Sequence, residues 1–313
     1  MKKPSTKQKQ SELTLIITLL VLLSVTLLLG LYLWLRTPVP DTTPVVENEN
    51  IATTTIELPP VVIKNPKEIG RSIQNHKIES YTFGSGEETI IFVGGIHGGY
   101  EWNSTLLAYS FIDAVESGEI TIRANLRIEV IPTLNPDGLY DVTGKEGRFA
   151  ITDVDDSKQG SGYGRLNAAS VDLNRNFACK WQPTSTWRGN AVSAGTAPFS
   201  EPESLALKKL VEATSPKAVI FWHSQAGAIY ASECENGVLP STITLMNTYA
   251  TAGGYKAVPV FDAYPITGDA EGWLATLNIP AITVELTTHD TVEWPQNKRA
   301  VEAVLELYKK NWF

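Results

Sequence analysis

The stretch Lys217-Ala218-Val219-Ile220-Phe221-Trp222-His223-Ser224 sets the reading of this chain. Five apolar residues run without a break into a histidine. An uninterrupted apolar run suits a strand buried on both faces of a sheet, where alternation with polar residues is not needed. Thr89–Val93, Leu126–Ile131 and Ala281–Leu286 share this texture. Between them lie helical patterns at Trp102–Val115, in the segment after Ser200, and at Lys298–Tyr308. Ser200-Glu201-Pro202-Glu203 reads as a capping box, with the Ser oxygen and the Glu three residues on satisfying free N–H groups at a helix start. Strands alternating with helices predict an α/β fold, a three-layer α/β/α sandwich around a mixed, mostly parallel central sheet. No internal repeat is visible.

Polar residues with chemistry cluster just past these strands, where open α/β sheets place their sites. Gly95-Ile96-His97-Gly98-Gly99-Tyr100-Glu101-Trp102 follows the first run. His97 and Glu101 from that stretch, with His223, offer two imidazoles and a carboxylate. That donor set, with a fourth position left for water, belongs to catalytic rather than structural zinc. One Zn2+ per chain is the expected cofactor. Val171-Asp172-Leu173-Asn174-Arg175-Asn176-Phe177 supplies an amide and a guanidinium able to grip a carboxylate. Thr283-Val284-Glu285-Leu286 sets a lone acid in an apolar strand, where a general base could sit. The chain has only four histidines. The other two, His76 and His289, stand outside any motif and read as non-ligands.

The order and wording of these stretches, with Asn135-Pro136-Asp137-Gly138 ahead of the Asn-Arg motif, resemble the zinc carboxypeptidases of the carboxypeptidase A type, the funnelins. The resemblance runs from about Ile69 to the C-terminus. It implies that Asp172 holds the first ligand histidine, fixing its tautomer and raising its basicity. It implies Glu285 as the proton shuttle and Asn174 with Arg175 as a clamp on the substrate's terminal carboxylate. By the same resemblance Arg165 takes the oxyanion role, with Arg148 as competitor. Tyr264 would close over the substrate from a mobile loop, and Asp269 and Glu271 would line the pocket for its last side chain. One departure is visible. The family usually has two residues between its first His and Glu, and here there are three. Gly98-Gly99 can absorb the extra residue in backbone angles closed to other side chains.

Residues 13–35 carry no charge and are long enough, at about 1.5 Å per helical residue, to cross a hydrocarbon core of about 30 Å. Four lysines precede the run and Arg36 follows it. The charge bias predicts a signal anchor with a cytoplasmic tail at 1–12, a Thr/Pro-rich stalk at 36–66 and an extracytoplasmic domain at 67–313, at the cell membrane. A cleaved signal peptide is the alternative. The chain carries a net charge of −8, and the first twelve residues contribute +3 of their own, leaving −11 for the rest. Such acidity argues against nucleic-acid binding. Two cysteines remain, Cys179 and Cys234. A bridge between them is the favoured reading, two free thiols the alternative.

These readings combine into one expectation: a membrane-anchored zinc metallocarboxypeptidase that removes the last residue of extracytoplasmic peptides. Its partners would be a peptide with a free C-terminal carboxylate, a cell-wall peptide among the candidates, and the membrane itself. A related zinc amide hydrolase acting on peptidoglycan stem peptides or N-acyl amino acids is the first alternative. A non-catalytic peptide-binding pseudo-peptidase is the second.

Overall fold

The computed structural model describes residues 66–158 and 162–309, together with Leu20, residues 22–29, Leu31 and Tyr32. The chain divides into two compact units, Met1–Glu57 and Leu58–Phe313. In the first unit the described residues are helical and exposed. The transmembrane helix expected over 13–35 is corrected here. Among the described residues no helix is long and apolar enough to cross a membrane. The rest of 13–35, the tail 1–12 and all of the stalk 36–66 but its last residue lie outside the described residues. The anchor, the membrane partner and the cell-membrane location expected from this run are withdrawn with it.

The second unit contains, in chain order, strands β1 (Lys67–Arg71), β2 (Lys77–Phe83), β3 (Glu88–Val93) and β4 (Leu126–Ile131), then β5 (Thr184–Trp187), β6 (Asn190–Ser193), β7 (Ala218–Ser224) and β8 (Ala228–Ala231). Strands β9 (Glu233–Cys234), β10 (Gly237–Val238), β11 (Lys256–Val258) and β12 (Ala281–Leu286) follow. Its helices are α1 (Trp102–Glu116), α2 (Pro136–Thr143), α3 (Pro202–Thr214), α4 (Pro240–Gly253), α5 (Ala270–Thr276) and α6 (Trp294–Leu307). Eight strands form one sheet in the order β1-β2-β4-β3-β7-β12-β8-β11. Its centre, β4-β3-β7-β12, is parallel, and β2 and β8 pair antiparallel on either side. The sheet is thus mixed and mostly parallel, as expected. Two short hairpins, β5–β6 and β9–β10, stand apart from it.

Alternate residues of the central strands feed two separate cores, as the period of two requires. Ile90, Phe92, Ile220, Trp222, Ile282 and Val284 pack with α1, α4 and α6 on one face. Ile91, Val93, Val219, Phe221 and Ala281 pack with α3 and α5 on the other. Two helix layers around a sheet make the expected sandwich.

Trp222 anchors the first core. It is fully buried, stacked on Phe92 at 5.2 Å. Its indole N–H donates to Tyr249 at 2.9 Å, and the Tyr249 hydroxyl donates to Asn297 at 2.7 Å. A buried Trp needs such an acceptor, and truncating a side chain of this size costs on the order of 3–5 kcal/mol. The residue after it, His223, is held by this packing.

The expected capping box does not form. Helix α3 begins at Pro202 with Glu201 as its N-cap, and Ser200 instead donates its hydroxyl to Glu201 Oε1 at 2.7 Å. Glu203 accepts from Ile73 N and Asn167 Nδ2, which draws it away from the helix start.

The topology places the site. Strand β3 pairs with β4 on one side and β7 on the other, so the connections leaving β3 and β7 diverge and open a crevice at their C-terminal ends.

Candidate active site

His97 follows β3, His223 stands in β7 and Glu285 in β12, three neighbouring strands. The parallel register sets Glu285 directly beside His223. Glu101 ends a 3-10 turn, Gly98–Glu101, that carries it back to His97. His97 Nδ1 lies 2.8 Å from Glu101 Oε1 and His223 Nδ1 lies 3.0 Å from Glu101 Oε2. The two Nδ1 atoms are 3.2 Å apart. Two nitrogens sharing a tetrahedral zinc at about 2.0–2.1 Å stand roughly 3.3 Å apart, so the spacing fits that ion. All three residues are buried, and their ligand atoms lie within 4.8 Å of one another. Without a cation the cluster must hold protons instead. Burial alone would lower His223, but the Glu101 carboxylate outweighs it and raises the imidazole to about 10. Burial likewise opposes charge on Glu101, and the two histidines overcome it, holding its carboxyl far below the usual range.

Asp172 is fully buried at the start of a second 3-10 turn, Leu173–Arg175. Its Oδ1 lies 3.5 Å from His97 Nε2, and its Oδ2 accepts from Arg165 Nε at 3.0 Å and Nη2 at 2.9 Å. Burial disfavours the Asp172 charge, yet Arg165 and Arg175 hold its carboxyl well below the ordinary value. Arg165 is also covered by the Trp187 ring, 4.5 Å away. Arg148 lies elsewhere, paired to Asp113 at 2.7 Å and over the Tyr109 ring.

Asn174 accepts from Ala270 N at 2.9 Å through its Oδ1, which leaves its NH2 group to donate. Arg175 donates to Asn174 O and Thr186 O, and its Nε is buried without a hydrogen-bond partner. Glu285 Oε2 is likewise buried and unpartnered. Burial, with the Glu101 carboxylate adding to it, pushes Glu285 up to about 7. A cation at the cluster would act in the opposite direction. These groups line one cleft of about 640 Å³, within the size range of small-molecule sites. Tyr264 lines it too, half-buried and edge-on to Phe261 at 4.9 Å.

A family model described as zinc carboxypeptidase matches residues 62–306. The chain belongs to the zinc carboxypeptidase family. It is a zinc-dependent hydrolase of that family, with His97, Glu101 and His223 as the single-zinc cluster. The gamma-D-glutamyl-L-diamino acid endopeptidase 1 of Lysinibacillus sphaericus is 25% identical over 239 residues, covering 70% of this chain and 59% of that protein. Murein peptide amidase A of Escherichia coli strain K12 is 32% identical over 131 residues, covering 39% of this chain and 50% of its own. The chain therefore spans between half and three-fifths of the length of these curated relatives. The murein-tripeptide amidase of Escherichia coli O157 shares the fold, with a TM-score of 0.56 at 23% identity over 80% of this chain and 94% of that one.

In this member of the zinc carboxypeptidase family the two pocket acids are engaged. Asp269 caps α5, accepting from Gly272 N at 2.6 Å, and burial next to Glu271 pushes its carboxyl up to about 6. Glu271 is buried, with Oε1 accepting from Thr283 at 2.8 Å and lying 3.5 Å from His223 Nε2. His289 meets Ser224 at 2.7 Å and His76 meets Asp137 at 2.8 Å, and neither joins the metal cluster. Cys179 and Cys234 are bridged. Sequence reasoning missed the cleft-lining Tyr100, Lys180, Trp187 and Arg188. Trp187 ends β5 and Arg188 with Gly189 forms the turn of the β5–β6 hairpin, and only the Trp187-Arg188-Gly189-Asn190 signature of a turn hinted at it.

Proposed function

We propose that this chain hydrolyses an amide bond in a peptidoglycan stem peptide. The observation that carries the hydrolysis is the convergence of His97, Glu101 and His223 in one cleft beside Glu285, whose Oε2 is buried and unpartnered. The expected anchored carboxypeptidase of extracytoplasmic peptides is corrected: no described helix is long and apolar enough to anchor it, and the two relatives named above act, by their names, on murein peptides and γ-D-glutamyl-diamino acid bonds.

His97, Glu101 and His223 would hold the zinc, and the chemistry a bound zinc would supply is Lewis acidity, which lowers the pKa of a water toward about 7 and polarises a carbonyl. Glu285 takes a proton from the attacking water and passes it to the departing nitrogen as the C–N bond breaks. Arg165 places positive charge where the carbonyl oxygen becomes negative, and Asp172 and Trp187 keep it there. Asp172 also faces the far nitrogen of His97 at 3.5 Å, where its charge favours a proton on that nitrogen. The free NH2 of Asn174 and the guanidinium of Arg175 hold a substrate carboxylate. Tyr264 donates from the opposite wall. Lys180 and Arg188 are exposed in the cleft lining and form no ion pair among the described residues. A γ-linked glutamyl residue leaves its α-carboxylate free, so its bond to a diamino acid presents more anionic groups than a simple peptide end. These two cations suit that substrate.

The test is mass spectrometry of products from a murein tripeptide and from linear α-linked peptides of equal length. Release of the diamino acid at a kcat/KM at least tenfold above that for the linear peptides is the expected result. Equal or faster cleavage of the linear peptides would overturn the substrate assignment.

A further inference from the structure

We propose that Glu271 is a positioning residue for the metal site, bearing on His223 as Asp172 bears on His97. The two histidines are arranged alike. Each turns Nδ1 toward Glu101, and each has an Nε2 that is buried with no hydrogen-bond partner. Each Nε2 then faces one buried carboxylate at 3.5 Å, Asp172 for His97 and Glu271 for His223. A carboxylate that accepts the outer N–H leaves the inner nitrogen as the lone-pair donor and makes it more basic.

The surroundings of Glu271 hold it to this task. It is 3% exposed, and its Oε1, the atom nearest His223, also accepts from Thr283 Oγ1 at 2.8 Å. Thr283 lies two residues before Glu285 on β12, so both side chains share one face of the strand. Glu271 itself comes from the first turn of α5, whose N-cap is Asp269. Helix α5 therefore delivers a carboxylate to the back of His223, while β12 delivers one to its flank. Glu271 lines the cleft, as its position in the sequence leads one to expect, and the role behind the metal ligand is a second task for the same carboxylate.

The experiment reads zinc rather than turnover, so its failure is separable from failure of the hydrolase reading on which it rests. The full chain and the variants Glu271→Gln, Glu271→Ala and Thr283→Val would be loaded with zinc in competition with a chromophoric chelator. Glu271→Ala is expected to weaken zinc binding about 10–100-fold, with Glu271→Gln falling between it and the parent. Cobalt in place of zinc should show a shifted visible band in Glu271→Gln. The ratio of kcat/KM for a substrate ending in a diamino acid to one lacking its second amine should stay constant across the series. Unchanged zinc affinity in a folded Glu271→Gln, or loss of the preference for the amine with zinc affinity intact, would overturn the proposal. If Glu271→Ala fails to fold, Glu271→Gln and Thr283→Val, which alter few atoms, decide the matter alone.

Discussion

Gly98 turns the chain between the two ligands of the first motif. Its φ is +46°, and a Cβ there would stand 2.6 Å from the Gly164 carbonyl oxygen and 2.9 Å from Gly138 Cα. The extra residue between His97 and Glu101 is accommodated by this left-handed step in a place with no room for a side chain. Gly98→Ala should destabilise the fold by about 1–3 kcal/mol or more through backbone strain and should weaken zinc binding; a variant with unchanged thermal midpoint and zinc content would refute this. Glu285→Gln keeps the shape of the side chain but cannot take a proton. It should lower kcat by about 10²–10⁴ while binding zinc as before, checked by turnover against metal content. At this scale His97, Glu101, His223 and Glu285 were legible because their neighbours in the sequence form a distinctive pattern. The partners of Glu271 were not. Which face of α5 is buried depends on strands that lie elsewhere in the sequence, and Thr283 is silent until β12 is placed beside it.

The elements that could be read in advance are those with uniform burial. Strands β3, β4, β7 and β12 lie mostly buried between the helix layers, so apolar residues predominate in their sequences. The strands that went unread are at the margins. β1 has no buried residue and β2 alternates, the two including Lys67, Arg71 and Lys77, and β11 is only three residues long. Helix α4 escaped notice because its Thr-rich stretch has weak helix propensity, and packing against α6 and β8 decides it. The Cys179–Cys234 bridge joins the end of the Asn-Arg motif to the β9–β10 hairpin across 55 residues of sequence. Closing a loop of that length stabilises the fold by about 4 kcal/mol in the chain-entropy model. Cys234→Ser should lower unfolding stability by a few kcal/mol in denaturant titration, with zinc stoichiometry retained; a loss of zinc at full stability would contradict this separation.

Over the whole molecule, the buried carboxylates Glu101, Asp172 and Glu271 and the half-buried Glu285 gather around the two ligand histidines, with the Arg165 guanidinium beside Glu101 and Asp172. Zinc bound there should stabilise the native state by about 2.7 kcal/mol when free zinc is 100 times its dissociation constant. For a domain of this size that corresponds to roughly 5–10 °C in thermal midpoint. Scanning calorimetry with and without chelator measures the difference, and an unchanged midpoint together with chelator-resistant activity would exclude a zinc site. The sandwich and its order of layers followed from apolar runs separated by helical periods. The N-terminal run misled because hydropathy reports what a segment could bury, not what it does bury.

The β5–β6 hairpin is built differently from the rest of the cleft. It lies outside the central sheet, tied to the Asn-Arg motif through the Val171–Ser193 bridge and the contact of Thr186 O with Arg175, and it carries Trp187 and Arg188 at its tip. No metal ligand belongs to it. Mutational drift at Arg188 and Gly189 can therefore change which molecules enter, while Trp187, which covers Arg165, stays fixed by the chemistry beneath it. Such an arrangement lets a lineage change its diet by exchanging one turn, and it offers the same handle to directed evolution.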